Sequence, residues 1–326
     1  MNWGGMAHRA RHALALAAGA ALIAACTPPD ANDKTTQGSR PQQTTQPDED
    51  AGRLATLKEI RAVDICALYG GRTSVGDKPM AVGALRSVNG CPARIEGPDS
   101  SITATIYLIV GPPALPPHEP WVKHDVIDGT AVTIADTFAS PKSPPRDQVV
   151  SATCVVSDRY PGSVVLSATV SYPPAADGCQ IGTDLMRVAI GQFAKRPPHG
   201  TSTALRTVLT GIDPCRPVTR LASSHVVVWN VADSDTRNCA FTVDGSPEIL
   251  VSLEYLDPSA EQYQPEHFEI AGHQVAGDSH DGIFNIVVGQ EFPYDSGTRI
   301  PAVEIADLSK NMDRIKLIAT AIAEDF

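Results

Sequence analysis

The stretch Ile102-Thr103-Ala104-Thr105-Ile106-Tyr107-Leu108-Ile109-Val110 decides the fold class. Successive side chains of an extended chain point to opposite sides, so Ile102, Ala104, Ile106, Leu108 and Val110 share one apolar face. Ile249-Leu250-Val251-Ser252-Leu253-Glu254-Tyr255 repeats the alternation, with Ile249, Val251, Leu253 and Tyr255 on one side. Such alternation is what a half-buried antiparallel sheet requires.

Working outward from these strands, the flanking residues repeat as well. Asp64-Ile65-Cys66 precedes the first strand and Asp213-Pro214-Cys215 the second, and each is followed by a further cysteine, in Asn89-Gly90-Cys91 and in Asn238-Cys239. Downstream, Val126-Ile127-Asp128-Gly129 stands where Glu269-Ile270-Ala271-Gly272 does, each a strand running into a turn. Further strands are expected over 153–156 and 164–172 in one half, and over 282–288 and 301–305 in the other. Each half closes on a helix: Ile181, Leu185, Val188 and Ala189 form a stripe within 180–193, and Leu308, Met312, Ile315, Ala319, Ile322 and Phe326 form another, with Ser309 placed to cap its start. Pro197-Pro198-His199-Gly200 breaks the chain, and the polar residues through Ser202 read as a linker. The expectation is α+β: two tandem domains, 54–198 and 203–326, each an antiparallel sheet with flanking helices.

Beyond Cys26 there are six cysteines, spaced in order as pairs 25, 25 and 24 residues apart. An even set in an exported chain implies disulfides, and sequential pairing is the simplest connectivity: Cys66 with Cys91, Cys154 with Cys179, and Cys215 with Cys239. Each loop would contribute about 3–4 kcal/mol in the chain-entropy model. The close C-x-x-C spacing of zinc sites is missing, so no metal is expected at these cysteines.

The export expectation rests on the N-terminus. Arg9 and Arg11 precede an uncharged apolar run from Ala13 to Ala25. The run is too short for a spanning helix, which needs about 20 apolar residues, and fits a signal-peptide h-region. It ends in Leu22-Ile23-Ala24-Ala25-Cys26, a lipobox. An aliphatic residue stands three before the cysteine and small residues fill the gap, leaving room for a peptidase to bind the extended chain. Cys26 would then carry a diacylglycerol, and two acyl chains give stable anchoring where one does not. Residues 27–53 are rich in Thr, Gln, Asp and Pro and too polar to fold alone, so they read as a tether reaching roughly 25–30 Å. Loss of Arg9 and Arg11 with the signal takes the formal net charge from −11 to about −13. This balance argues against nucleic acid as a partner.

On the lipobox, the Asp-x-Cys opening, the second cysteine beyond it, the Ile127-Asp128-Gly129 turn, Cys154-Val155-Val156 and Gly178-Cys179 leading into a helix, the chain resembles a group of secreted lipoproteins of mycobacteria and related actinobacteria. These are classed as domains of unknown function and include LprB- and LprC-like members. The resemblance covers 54–198 well and 203–326 more loosely, the second copy having no counterpart of the Cys154/Cys179 pair. It implies a cell-envelope location and brings no catalytic residues.

Several constellations resemble chemistry. Gly71-Arg72-Thr73-Ser74-Val75-Gly76-Asp77-Lys78 approaches a phosphate loop, but Asp77 separates the lysine from the glycine and Pro79 follows, so it reads as a surface loop. His267, His273 and His280 with Asp278 and Asp281 offer metal-ligand types at spacings of no helical pattern, and read as solvated. There is no Gly-x-Ser-x-Gly elbow, and Ser296 reads as turn chemistry. Asp233, Asp235, Asp257 and Glu261 read as loop charges. Trp229 within 226–231 reads as core. Trp121, with His118, follows or lies in a proline-rich insertion that the second half lacks. Ligand or partner contact and packing against its own domain both stay open for it.

The reading is a non-enzymatic binding or interaction module without cofactor or metal, anchored at the outer face of a membrane through Cys26, its partner an envelope protein or small ligand. The alternative is an envelope hydrolase with a site assembled from sequence-distant residues. Ligand sites favour junctions, so a cleft between the halves is the place to look.

Overall fold

The computed structural model describes residues 47–85, 87–97, 102–111, 119, 121–145, 148–294 and 297–326. The first helix, α1 (Pro47–Arg61), buries Leu57 and Ile60 and packs Leu54 at the core margin, one side of its later turns. It begins inside the expected tether, so 47–53 belong to a helix. Within this part Arg53 donates to the carbonyls of Val231 at 2.8 Å and Ser234 at 2.7 Å, far along the chain.

A 3-10 turn at Ile65–Tyr69 follows, its Ala67 amide capped by the Asp64 carboxylate. Then come β1 (Ser74–Val75), β2 (Lys78–Val82), β3 (Gly90–Ile95), β4 (Ile102–Val110), β5 (Val122–Ile127), β6 (Thr130–Asp136), β7 (Ala152–Tyr160), β8 (Val164–Tyr172) and α2 (Gly178–Phe193). These strands form one sheet in the order β1-β2-β3-β4-β8-β7-β6-β5. The expected apolar face of β4 is the floor of the core, and α2 covers it with Ile181, Leu185, Met186, Ala189 and Phe193.

The second half contains α3 (Arg216–Leu221), β9 (Val227–Asn230), β10 (Asn238–Val243), β11 (Ile249–Leu256), α4 (Pro258–Gln262), β12 (Glu266–Ile270), β13 (His273–Asp278), β14 (Ile283–Val287), β15 (Phe292–Tyr294), β16 (Gly297–Asp307) and α5 (Met312–Ala323). Its sheet runs β12-β13-β14-β16-β11-β10-β9, with β15 paired to β16. The path β3-β4-β8-β7-β6-β5 of the first sheet is therefore traced again by β10-β11-β16-β14-β13-β12. Every strand pairing among the described residues is antiparallel.

The repeat extends to the turns. Asp128-Gly129 and Ala271-Gly272 both take positive φ at each residue, 49° and 86° in one and 50° and 87° in the other. They close two-residue hairpins, Ile127 opposite Thr130 and Ile270 opposite His273, in the left-handed geometry that matches strand twist. The disulfides pair as expected. Cys66–Cys91 and Cys215–Cys239 join corresponding elements, while Cys154–Cys179 joins β7 to the first turn of α2.

Three expectations change. The chain is mainly β, two eight-stranded sheets with few helices, where an α+β balance was expected. Segment 74–82, expected as a surface loop in its first half, carries little apolar signal yet forms β1 and β2 at one edge of the first sheet, while at the other edge the strand expected at Val126-Ile127 turns into a further strand, β6. The closing helix starts later than its apolar stripe implied: Asn311, not Ser309, caps α5, accepting from the Arg314 amide at 3.1 Å. The Ser309 hydroxyl donates to Asp307 instead, and Leu308 is left exposed. Each sheet has its own buried cluster, and residues 84, 85 and 88 of the first half also pack against the second cluster.

Candidate functional site

The face of the first sheet turned away from α2 carries hydroxyls where the core face carries aliphatics. On adjacent strands Tyr107 stands opposite Ser167, and Ser167 opposite Ser157, so three hydroxyl side chains form a row across β4, β8 and β7. Neighbours in such a row lie about 4.5–5.5 Å apart between Cβ atoms. Thr169 lies two residues along β8, on the same side. The Tyr107 ring is seated by its cross-strand partner Gly90: a Cβ there would come within 2.6 Å of the ring, so only glycine lets the ring lie flat on the backbone.

These residues line one side of a cavity of about 460 Å³, with Ile109, Val155 and Val165 between the hydroxyls. The volume falls in the range of about 300–1,000 Å³ usual for small-molecule sites. Arg237 and Glu254 of the second half complete the lining, joined by an ion pair from Arg237 Nη2 to Glu254 Oε1. At the rim the Ser87 hydroxyl donates to the Asn89 side-chain carbonyl at 2.9 Å. Ser167 is only 8 % exposed, and Tyr107, Ser157 and Thr169 beside it are half-buried, so this face is partly covered, unlike the solvent face of an isolated sheet.

Behind the ion pair, the second sheet has a polar row of its own. Glu304 on β16 stands between Ser252 on β11 and Asn285 on β14, with Ser252 and Asn285 both buried. Burial raises the Glu304 pKa, the neighbouring Glu254 carboxylate raises it further, and Arg237 opposes both. Among the described residues, Arg237 Nε and Asn285 Oδ1 are buried without a hydrogen-bond partner. Arg237 thus stands between two glutamates and keeps an unused donor.

Among the described residues, no hydroxyl of the cavity is hydrogen-bonded to a histidine or carboxylate, the arrangement that would activate a nucleophile. The close histidine–carboxylate pair His225 and Asp244, 2.8 Å apart, lies elsewhere, with Asp244 also capping the Val226 amide. The His225 hydrogen bond is the main cause that lowers the Asp244 pKa.

Two other hollows are less suited to recognition. One of about 720 Å³ runs between Gly70, Gly71 and Gly83 and linker residues 201–205, and much of its wall is small residues. One of about 380 Å³ faces the start of α2, with Val75, Ile102 and Ile181 in its wall and Asp77, Lys78, Asp177 and Asp184 about it. Asp177 there is already engaged in capping the helix.

The expected site residues scatter. Cys26, His118 and Ser296 lie outside the described residues. Trp121 is half-buried in the turn before β5 and does not line the cavity. Gly76 and Asp77 form the turn between β1 and β2, and Asp77 is exposed. His267 and His273 fall on opposite faces of the second sheet, because His267 pairs with Ala276 while His273 shares the side of Val275. Among the described residues no group of three metal-ligating side chains converges. Asp235 caps the turn before β10, accepting from the Arg237 and Asn238 amides, Asp233 accepts from the Asn230 side chain, and Asp257 caps α4. Glu261 is more enclosed than a loop charge, with its pKa raised by burial against the opposing His267. Trp229 is partly buried at the edge of the second core, donating to Ser234 Oγ at 3.1 Å.

Sequence reasoning missed Tyr107, Ser157, Ser167, Thr169, Arg237 and Glu254. A signal was present: the alternate residues of 102–110 and 164–172 are Thr, Tyr, Ile, Ser and Val, not the charged residues of an ordinary solvent face. What covers that face could not be read from alternation alone. No family model, curated protein or solved structure matches this chain.

Proposed function

We propose that this chain is a lipid-anchored lipoprotein of the cell envelope, held through Cys26, that binds a ligand or partner without catalysing a reaction. In this reading its two halves are tandem copies of one disulfide-stapled, mainly β unit, related to the actinobacterial lipoproteins that it resembles. The observation that carries the binding role is the sheltered cavity lined by side chains of both halves, with hydroxyls on one side and the Arg237–Glu254 pair on the other. A site at such a junction needs both copies, a reason for keeping them in one chain. The lipobox and the polar segment after it support the anchoring.

Photocrosslinking in intact cells tests the role directly. With benzoylphenylalanine at Ser87 on the cavity rim, a discrete adduct is expected that the same group at exposed Tyr263 does not give. Identical adduct patterns at the two positions would remove the case for the cavity as a binding site.

A further inference from the structure

We infer that the cavity takes a neutral saccharide unit, a pyranose ring, as its ligand; this inference rests on the cavity being a binding site at all. The chemistry of the lining narrows the class. One side has no formal charge: the Tyr107 ring, Ile109, Val155 and Val165, interleaved with the hydroxyls of Ser157, Ser167 and Thr169. The lining charges opposite, Arg237 and Glu254, are paired with each other, so neither takes up an anion or a cation without breaking that pair. An acyl chain would leave the sheltered hydroxyls without water or partner, at a cost of roughly 1–3 kcal/mol for each.

A ligand that satisfies this lining is uncharged, both donates and accepts hydrogen bonds around its edge, and has a flat apolar face. A pyranose meets all three conditions. Its axial C–H face fits the Tyr107 ring, which Gly90 seats against the backbone and so holds in place. Its hydroxyls can pair with the Ser157–Ser167 row, which spans adjacent strands at regular spacing. On the other wall the Arg237 guanidinium and the Glu254 carboxylate bring a donor group and an acceptor group together.

The test is titration of the purified full-length chain in a detergent without a sugar headgroup, read by saturation-transfer NMR and calorimetry. The probes are methyl glucopyranoside, methyl mannopyranoside, methyl galactopyranoside and N-acetylglucosamine, set against succinate, putrescine and decanoate. At least one pyranoside is expected to bind, with transfer strongest at its ring C–H protons. Tyr107→Ala should weaken that binding about tenfold and Thr169→Val several-fold, the loss of one stacking surface and of one hydrogen bond. Trp121→Ala should leave it unchanged. The thermal midpoint checks each variant's fold, and Thr169→Val, which keeps the side-chain shape, remains informative where Tyr107→Ala does not fold.

If no pyranoside binds while succinate, putrescine or decanoate does so in a Thr169-dependent way, the saccharide assignment is overturned and the cavity stands as a site for another class. If no probe binds and the Ser87 crosslink also fails, both readings fall.

Discussion

Asp64 is 7 % exposed and accepts hydrogen bonds from the amides of Ala67, Gly200 and Ser202 and from the Ser202 hydroxyl. One carboxylate thus caps the first 3-10 turn and ties down the segment leading to the second half. Its counterpart Asp213 accepts from the Cys215 amide and pairs with Arg61 at 2.8 Å, so the same motif fastens the halves in both directions. Asp64→Ala is expected to cost about 2–4 kcal/mol, because several sheltered donors lose their acceptor together. Denaturant midpoints at constant slope would show it, and a change below 0.5 kcal/mol would contradict it. Asp307, fully buried, gives a pH-dependent case. Burial opposes its charge, but the hydrogen bonds from Arg314 and Ser309 outweigh burial and hold its pKa below the ordinary value. A group whose folded pKa is depressed stabilises fully above its unfolded pKa, near 3.9, and that stabilisation drains as pH falls through the lower folded value. Asp307→Asn should therefore be destabilised at neutral pH and lose less stability than the parent on acidification below about pH 4. Parallel acid-unfolding curves for the two proteins would refute the assignment.

At the scale of elements, the paired hairpins make a sharp comparison. Ala271 holds φ 50° with a side chain that disfavours it, while Asp128 in the matching turn is of a type that tolerates it. Ala271→Gly is expected to stabilise by about 0.5–1 kcal/mol and Gly272→Val to destabilise by about 1–3 kcal/mol. Thermal midpoints moving in opposite directions would confirm the turn geometry. In α5 the apolar stripe was legible, but its limits were not. Ile315 of the stripe is fully buried, Leu308 is 76 % exposed before the helix starts, Phe326 is exposed beyond its end, and Ile318, outside the stripe as read, is fully buried too. Ile318→Ala should cost about 2–5 kcal/mol and Leu308→Ala less than about 0.5 kcal/mol. The stripe was extended one turn too far because periodicity does not register that the Ser309 hydroxyl is taken by Asp307, which leaves capping to Asn311.

For the whole molecule, Arg53, Arg61 and Asp64 gather distant segments about the start of the first half, and residues 84, 85 and 88 pack into the second core. Such shared packing couples the halves. One cooperative denaturant transition is expected for the parent, and Arg61→Ala, which removes an ion pair whose arginine side chain is only 9 % exposed, should separate it into two or broaden it. Two transitions in the parent would show that the halves fold independently. Mass spectrometry of the mature protein addresses the proposed anchor: a diacylated N-terminal Cys26 is expected, and an unmodified start elsewhere would defeat it.

Sequence by itself determined the cysteine pairing, the two principal strands with their buried sides, the hairpin turns and the repeat, because each rests on local spacing: a period of two in strands, equal intervals between cysteines, and glycine where φ must be positive. Only the tertiary structure decided that α1 reaches back to Pro47, that the polar hairpin at 74–82 extends the first sheet, and that Tyr107, Ser157, Ser167 and Thr169 share a cavity with Arg237 and Glu254. Alternation states which residues share a face; what lies opposite that face depends on contacts between residues far apart in the chain, which no local period encodes.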